Sequence, residues 1–416
     1  MGEAHRRLST GISTVSVDAL LRCDTVLIKA RLFTPGPTLL APEVQSALGQ
    51  PIPHHRSSEF RAVLMECRQG LQAFLGTSSD VLLLACSGSG AMEAGLVNVL
   101  SPGEKTLALV AGRFGERWVE IARAHGFEPV VLEAPWGEAV APERVAAALR
   151  ADSSIRAVCV QHSESSTGAR HDVESLGRIV RDHGDTVLVV DAISSAGAMP
   201  LKTDAWELDV VIVGSQKALS LPPGLAFVAM SPKAWRHAER ARSTRFYFDL
   251  RREREGQAEG STAFTPPIAH VVALRSVLAA LATRGGVDAL VANAALLAAM
   301  TRAAVRALSV PLVAPRDYGD ALTALFPPIG LDAPAIIRGL QAEFGVRVAG
   351  GQGPLKGRIF RLAHLGHYDA IDTFGLLGAL EIVLRRLGHG FEPGAGLRAA
   401  SEAYFSASAS QGRSSP

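Results

Sequence analysis

The chain has 416 residues, more than one compact core usually holds, and 48% of them are hydrophobic, so two packed units are expected. Its 42 Lys+Arg and 40 Asp+Glu nearly cancel to +2, which argues against nucleic acid or an anionic membrane as partner. Cys23, Cys67, Cys86 and Cys159 lack metal-ligand spacing and read as reduced thiols of a cytoplasmic protein, and the lack of an 18-residue apolar run predicts no membrane span.

In chain order, residues 1–30 are an extension in which Val15 to Cys23 predicts a short helix. Gly36, between two prolines in FTPGPT, predicts a rigid turn. Glu43 to Leu48 and Phe60 to Leu75 carry apolar residues at helical spacing. Val81 to Ala85 predicts a strand, Ser87 to Gly90 a small-residue turn, and the following residues through Leu100 a helix. Such a turn exposes free amides at the positive end of a helix dipole, which suits an anion. A strand–helix rhythm then repeats. Strands are expected at Thr106 to Ala111, Glu128 to Leu132, Ile155 to Gln161, Thr186 to Val190, Val210 to Val213 and Gly224 to Met230. Helices are expected at Phe114 to His125, Pro142 to Leu149 and Val173 to His183. The alternation predicts a mostly parallel sheet covered on both faces, with ligands at the carboxyl ends of its strands.

Ile268 to Thr283 predicts a long helix that ends at Gly285-Gly286, a hinge into a second unit. That unit is expected to hold helices at Val287 to Leu308, Ala333 to Phe344 and Tyr368 to Leu387. Its strands are expected at Leu322 to Phe326, Val346 to Ala349 and Arg358 to Ala363. From residue 392 the Ala/Ser/Gly-rich composition predicts a disordered tail.

The polar residues at the strand ends carry the chemistry. Lys217 follows the buried run Val210 to Val213 in DVVIVGSQKALSL. A lone lysine there reads as a solvated loop residue; with suitable neighbours it reads as an amine tuned to form a Schiff base. Asp191 leaves the strand VLVVD, and its carboxylate suits a pyridinium nitrogen. With the SGSG turn for a phosphate and Phe114 for a ring face, these residues fit pyridoxal 5′-phosphate.

At this point the chain resembles the class-V, fold-type-I aminotransferases that depend on pyridoxal phosphate, in particular the alanine–glyoxylate and serine–pyruvate branch. The likeness runs from Phe33 to Leu387 and rests on the PGP turn, SGSG, LVNVLSPGE, HSESSTG (His162 to Gly168), VVDAISS, GSQKAL and FRLAHLG (Phe360 to Gly366). It implies an α/β protein: a large domain, residues 31–284, with a mostly parallel seven-stranded sheet, and a smaller α+β domain, residues 285–391. It implies that Lys217 is the Schiff-base lysine and Asp191 the pyridinium partner, and that Ser165 bonds the cofactor 3′-oxygen. Ser89, Gly90, Ala91, Ile193 and Gln216 would line the cofactor, with Thr265 reaching the phosphate of a neighbouring subunit. Gly36 and Arg361 would meet the substrate, Arg361 by clamping its carboxylate. The implied reaction moves an amino group between a small α-amino acid and a 2-oxo acid, in a homodimer with shared active sites. The chain departs from that pattern in three places: Ala91 stands where relatives carry His, Phe114 where many carry Trp, and no phenol stands near Thr262. A cysteine desulfurase needs a cysteine beyond the lysine, and none follows Cys159. Amine or aminophosphonate transfer, a biosynthetic reaction on the same scaffold, and a non-catalytic scaffold protein are the other readings.

Overall fold

The computed structural model describes residues 28–410, with side chains to 407; the helix expected at Val15 to Cys23 lies outside them. Seven strands form the large sheet: β1 (Val81–Leu84), β2 (Lys105–Val110), β3 (Glu128–Glu133), β4 (Ile155–Gln161), β5 (Val187–Asp191), β6 (Val210–Gly214) and β7 (Ala226–Met230). Their spatial order is β1-β7-β6-β5-β4-β2-β3, and all run parallel except β7, which is antiparallel to β1 and β6. Continuous β-branched runs fit here because both faces are covered. In β6, Val211 and Val213 enter the core on one face while Val210 and Ile212 enter the core on the other; Leu188 and Val190 alternate with Val187 and Val189 in β5 in the same way.

The covering helices include α1 (Pro42–Leu48), α2 (Ser58–Leu75), α3 (Gly88–Val99), α4 (Arg113–Ala124), α5 (Pro142–Ala151) and α6 (Val173–Asp182). Then come α7 (Pro232–Arg240), α8 (Leu250–Ala258) and α9 (Ile268–Thr283). Gly285 and Gly286, both at positive φ, separate α9 from α10 (Gly286–Ala307). The small unit adds β8 (Leu322–Leu325), α11 (Ala333–Phe344), β9 (Ala349–Gly350), β10 (Phe360–Ala363) and α12 (Ala370–Arg386). Its antiparallel sheet has the order β8-β10-β9. The strand expected at Val346 to Ala349 is split: Val346–Arg347 pairs with Arg31–Leu32, and β9 begins only at Ala349.

Residues 395–410 of the tail expected to be disordered instead form a helix, α13 (Ala395–Ser410). Alanine favours helix, and Leu397, Ala400, Ala403 and Tyr404 recur at helical spacing against the small-unit core. Glu381 of α12 accepts from the amides of Gly394 and Leu397, both at 2.9 Å, and so caps the helix. By length and composition α10 passes the test for a membrane span. Leu297, Met300, Ala304 and Val305 place it in the small-unit core, where α13 lies against it.

The parallel order sends the carboxyl ends of β1, β2, β4, β5 and β6 to one edge of the sheet. In register, Asp191 sits beside Gln161 on one side and Ile212 on the other. The polar residues that follow these strands are therefore neighbours.

Candidate active site

Lys217 leaves β6 through a tight turn in which the Ser220 amide donates to the Lys217 carbonyl at 2.9 Å. The segment that precedes α1 closes over this turn. Thr38 Oγ1 donates to the Lys217 carbonyl at 3.0 Å, and Lys217 Nζ donates to the Pro35 carbonyl at 2.5 Å. Gly36 has φ +126°, and a Cβ there would lie 2.6 Å from Lys217 Cε and 2.7 Å from Nζ. A side chain at residue 36 would occupy the space of the amine. Burial pushes the Lys217 amine down to about 8; Asp191 opposes this, and the Arg361 and Arg117 cations reinforce it. A good fraction of the amine is then neutral near pH 8, as a nucleophile or base requires.

Asp191 ends β5 and is buried. Its Oδ1 accepts from the Ile193 amide at 2.8 Å, and no hydrogen bond from the protein reaches Oδ2 among the described residues. Burial pushes the carboxyl up to about 7, against the Ile193 bond and the Lys217 and Arg117 cations, with Glu164 adding repulsion. A cationic ring nitrogen at Oδ2 would relieve that cost.

Glu164 organises the neighbouring turn. Its Oε2 accepts from the amides of Phe114 and Gly115 at 3.1 and 3.0 Å, and its Oε1 from the Ser166 amide and hydroxyl at 3.1 and 2.6 Å. The carboxylate thus caps the amino end of α4, where the helix dipole favours it. Burial pushes its pKa up and these bonds oppose the rise. Gly112 permits the approach, since a Cβ there would meet the Ser166 hydroxyl and the Glu164 carboxylate. Gln161 Nε2 donates to the Phe114 carbonyl at 2.9 Å, so the backbone amide and carbonyl of Phe114 are both held by side chains.

Ser89 and Gly90 lie in the first turn of α3, where helix geometry provides no acceptors for their amides. Ala91 is different: its amide donates to the Ser87 carbonyl, and its methyl group is buried in the sheet core. From the small unit, Arg361 in β10 reaches the same edge. Its Nε donates to the Gly350 carbonyl at 2.9 Å and its Nη1 to the Ser165 carbonyl at 2.6 Å. Among the described residues no carboxylate forms an ion pair with it, its Nη2 has no partner, and burial lowers its pKa to about 10. Among the described residues the Ser165 hydroxyl likewise makes no hydrogen bond, and Gln216 Oε1 is buried without a partner.

Residues 43–353 match the family model of the class-V aminotransferases. The chain belongs to this family. A relative from Synechococcus sp. (strain PCC 6716), called the small subunit of a soluble hydrogenase, is 40% identical over 376 residues, which span 90% of this chain and 98% of that protein. The L-aspartate–glyoxylate aminotransferase of Paracoccus denitrificans is 35% identical over 380 residues, 90% of this chain and 96% of that protein. Among solved structures, an alanine–glyoxylate aminotransferase from Nostoc sp. superposes with a TM-score of 0.81 at 29% identity, covering 89% of this chain and 100% of that one. The chain is thus an aminotransferase of fold type I, and its family implies pyridoxal phosphate.

Within this class-V enzyme the structure brings Gly36, Ser165, Asp191, Ile193, Gln216, Lys217 and Arg361 to one edge, with Phe114 and the Ser89–Gly90 amides beside them. It does not bring Thr265 there: this residue is exposed beside Tyr247 and Phe264, and no hydrogen bond joins it to the Lys217 group among the described residues. Three contributors were missed by sequence reasoning: Glu164, Arg117 and the pair Pro35/Thr38. Glu164 left a signal, an acid between serines directly after a buried strand. The contacts of Pro35 and Thr38 with Lys217 span about 180 residues and left none.

Proposed function

We propose that the enzyme moves an amino group between a small α-amino acid of the alanine or serine type and a 2-oxo acid such as glyoxylate or pyruvate, with pyridoxal phosphate at the carboxyl edge of the large sheet. The observation that carries this reading is Arg361: a buried guanidinium, held by two carbonyls and paired with no carboxylate among the described residues, at the same edge as Lys217 and Asp191.

The residues present fit the cofactor. Asp191 Oδ2 suits the ring nitrogen, the Ser165 hydroxyl the 3′-oxygen, Phe114 the ring face, and the Ser89–Gly90 amides with Gln216 the phosphate. When bound, pyridoxal phosphate supplies an electron sink that stabilises negative charge at the substrate Cα. Arg361 binds and orients the α-carboxylate, with Nη2 its open donor. With the cofactor bound, the Lys217 amine would stand beside the substrate Cα as the base that accepts its proton. Its pKa, lowered to about 8, leaves far more of the amine neutral and able to accept that proton near pH 8 than an ordinary lysine would have.

We further propose a homodimer in which Thr265 serves the partner's site. Its exposure, beside the exposed Phe246 and Tyr247 that pack on the half-buried Phe264, supports this reading.

The test is a half-reaction screen. L-alanine, L-serine and L-aspartate are added singly to cofactor-loaded protein, and the visible cofactor band is followed before and after glyoxylate or pyruvate. Loss of the band with alanine or serine and its return with glyoxylate is the expected result. No response to any α-amino acid, with a response to an amine lacking the carboxylate, would overturn the substrate assignment.

A further inference from the structure

Arg117 stands three residues after Phe114 on α4, and so on the same face. Its guanidinium carbon lies 4.8 Å from the Phe114 ring centroid, and its Nη1 donates to Ser89 Oγ at 3.0 Å. Its neighbour on the helix behaves differently. Arg113 turns outward and pairs with Glu116 and Glu120 at 3.1 and 2.7 Å. Arg117 turns inward, is only partly exposed, and forms no ion pair among the described residues. A half-buried cation without a counter-charge carries a desolvation cost that an anion would offset.

The surroundings indicate which anion. Arg117 bonds the side chain of Ser89, in the first turn of α3, where the amides of Gly88, Ser89 and Gly90 have no helical acceptors. The next side chain, Ala91, offers no donor and is sealed in the core. At this helix end the dipole supplies partial positive charge and the guanidinium supplies a full one. We infer that Arg117 is a cofactor-binding residue that grips the phosphate dianion of pyridoxal phosphate together with Ser89, and supplies the cation that Ala91 cannot. The inference rests on the proposed location of the cofactor and names a further ligand within that site. Consistent with an inward-facing cation, Arg117 also lowers the pKa values of both Asp191 and Lys217.

The role makes a distinction that a packing role does not. Pyridoxal lacks the phosphate but presents the same ring and aldehyde. Protein freed of cofactor is titrated with pyridoxal phosphate and with pyridoxal, as wild type, Arg117→Gln and Arg117→Lys, with circular dichroism as the check on folding. We expect Arg117→Gln to weaken pyridoxal phosphate by ~30-fold and pyridoxal by less than ~2-fold. Arg117→Lys keeps the charge but loses the fork, and should weaken pyridoxal phosphate by ~5-fold with pyridoxal unchanged; it carries the test alone if the Gln variant does not fold. Equal losses for both compounds would show that Arg117 only positions Phe114 and Ser89, and would overturn the inference, as would unchanged binding of both. Wild-type protein that binds neither compound would overturn the cofactor reading itself.

Discussion

A lysine amine and an aspartate carboxyl share a site from which most water is excluded, and each is shifted toward neutrality. The carboxyl, raised to about 7 in the folded protein from 3.8, holds a proton that the unfolded chain releases between those values. Without cofactor, stability therefore falls as pH rises from about 4 to 7. The amine, lowered to about 8 from 10.5, has released a proton that the unfolded chain still holds. Stability therefore recovers as pH rises from about 8 to 10.5. Between them the two residues place their least favourable contribution near pH 7 to 8. Urea midpoints of cofactor-free wild type and Lys217→Met across this range should differ by a term that shrinks above pH 8; a pH-independent difference would contradict the shift assigned to Lys217. In turnover, Lys217→Ala should lose at least two orders of magnitude in rate with the fold intact, since both nucleophile and proton carrier are gone. Arg361→Ala should raise KM for α-amino acids by at least ~10-fold while the cofactor spectrum stays unchanged. Unaltered KM for alanine, serine and glyoxylate would remove the carboxylate clamp from the account.

Strands were easier to read than the contacts across them. Continuous apolar runs such as VLVVD and VVIVG marked β5 and β6, and the polar residue after each run marked the site. Helix α8 was not expected, because LRREREGQA shows no apolar period. It is held by polar bonds instead: Gln257 pairs its side chain with the amide and carbonyl of Leu83, and also with Glu253. Composition misled at α13, where alanines read as low complexity until the core of the small unit gave them a surface to cover. The PGP turn was legible as a turn, but not its seat on Lys217, which only tertiary structure defines. Gly36→Ala tests that seat. It combines positive φ with a Cβ inside the space of the amine, so activity should fall by at least ~10-fold with a stability loss of ~1 to 3 kcal/mol. An active, fully stable Ala variant would show that the turn is not fixed against the lysine.

At the scale of the molecule, two sheets present their functional residues to each other. β5 and β6 of the large unit bring Asp191 and Lys217, and β10 of the small unit brings Arg361, bonded back to Ser165 across 196 positions of sequence. The exposed Phe246 and Tyr247, with Thr265 beside them, await a second copy under the proposed dimer. Sedimentation at micromolar concentration should give a dimer, and Thr265→Ala should weaken cofactor binding. A fully active monomer would contradict the shared site. The most direct test of the central claim is to reduce cofactor-loaded protein with borohydride and map the modified peptide by mass spectrometry. The account predicts a single pyridoxyl adduct on Lys217; an adduct on another lysine, such as Lys202 or Lys233, or none at all, would contradict it.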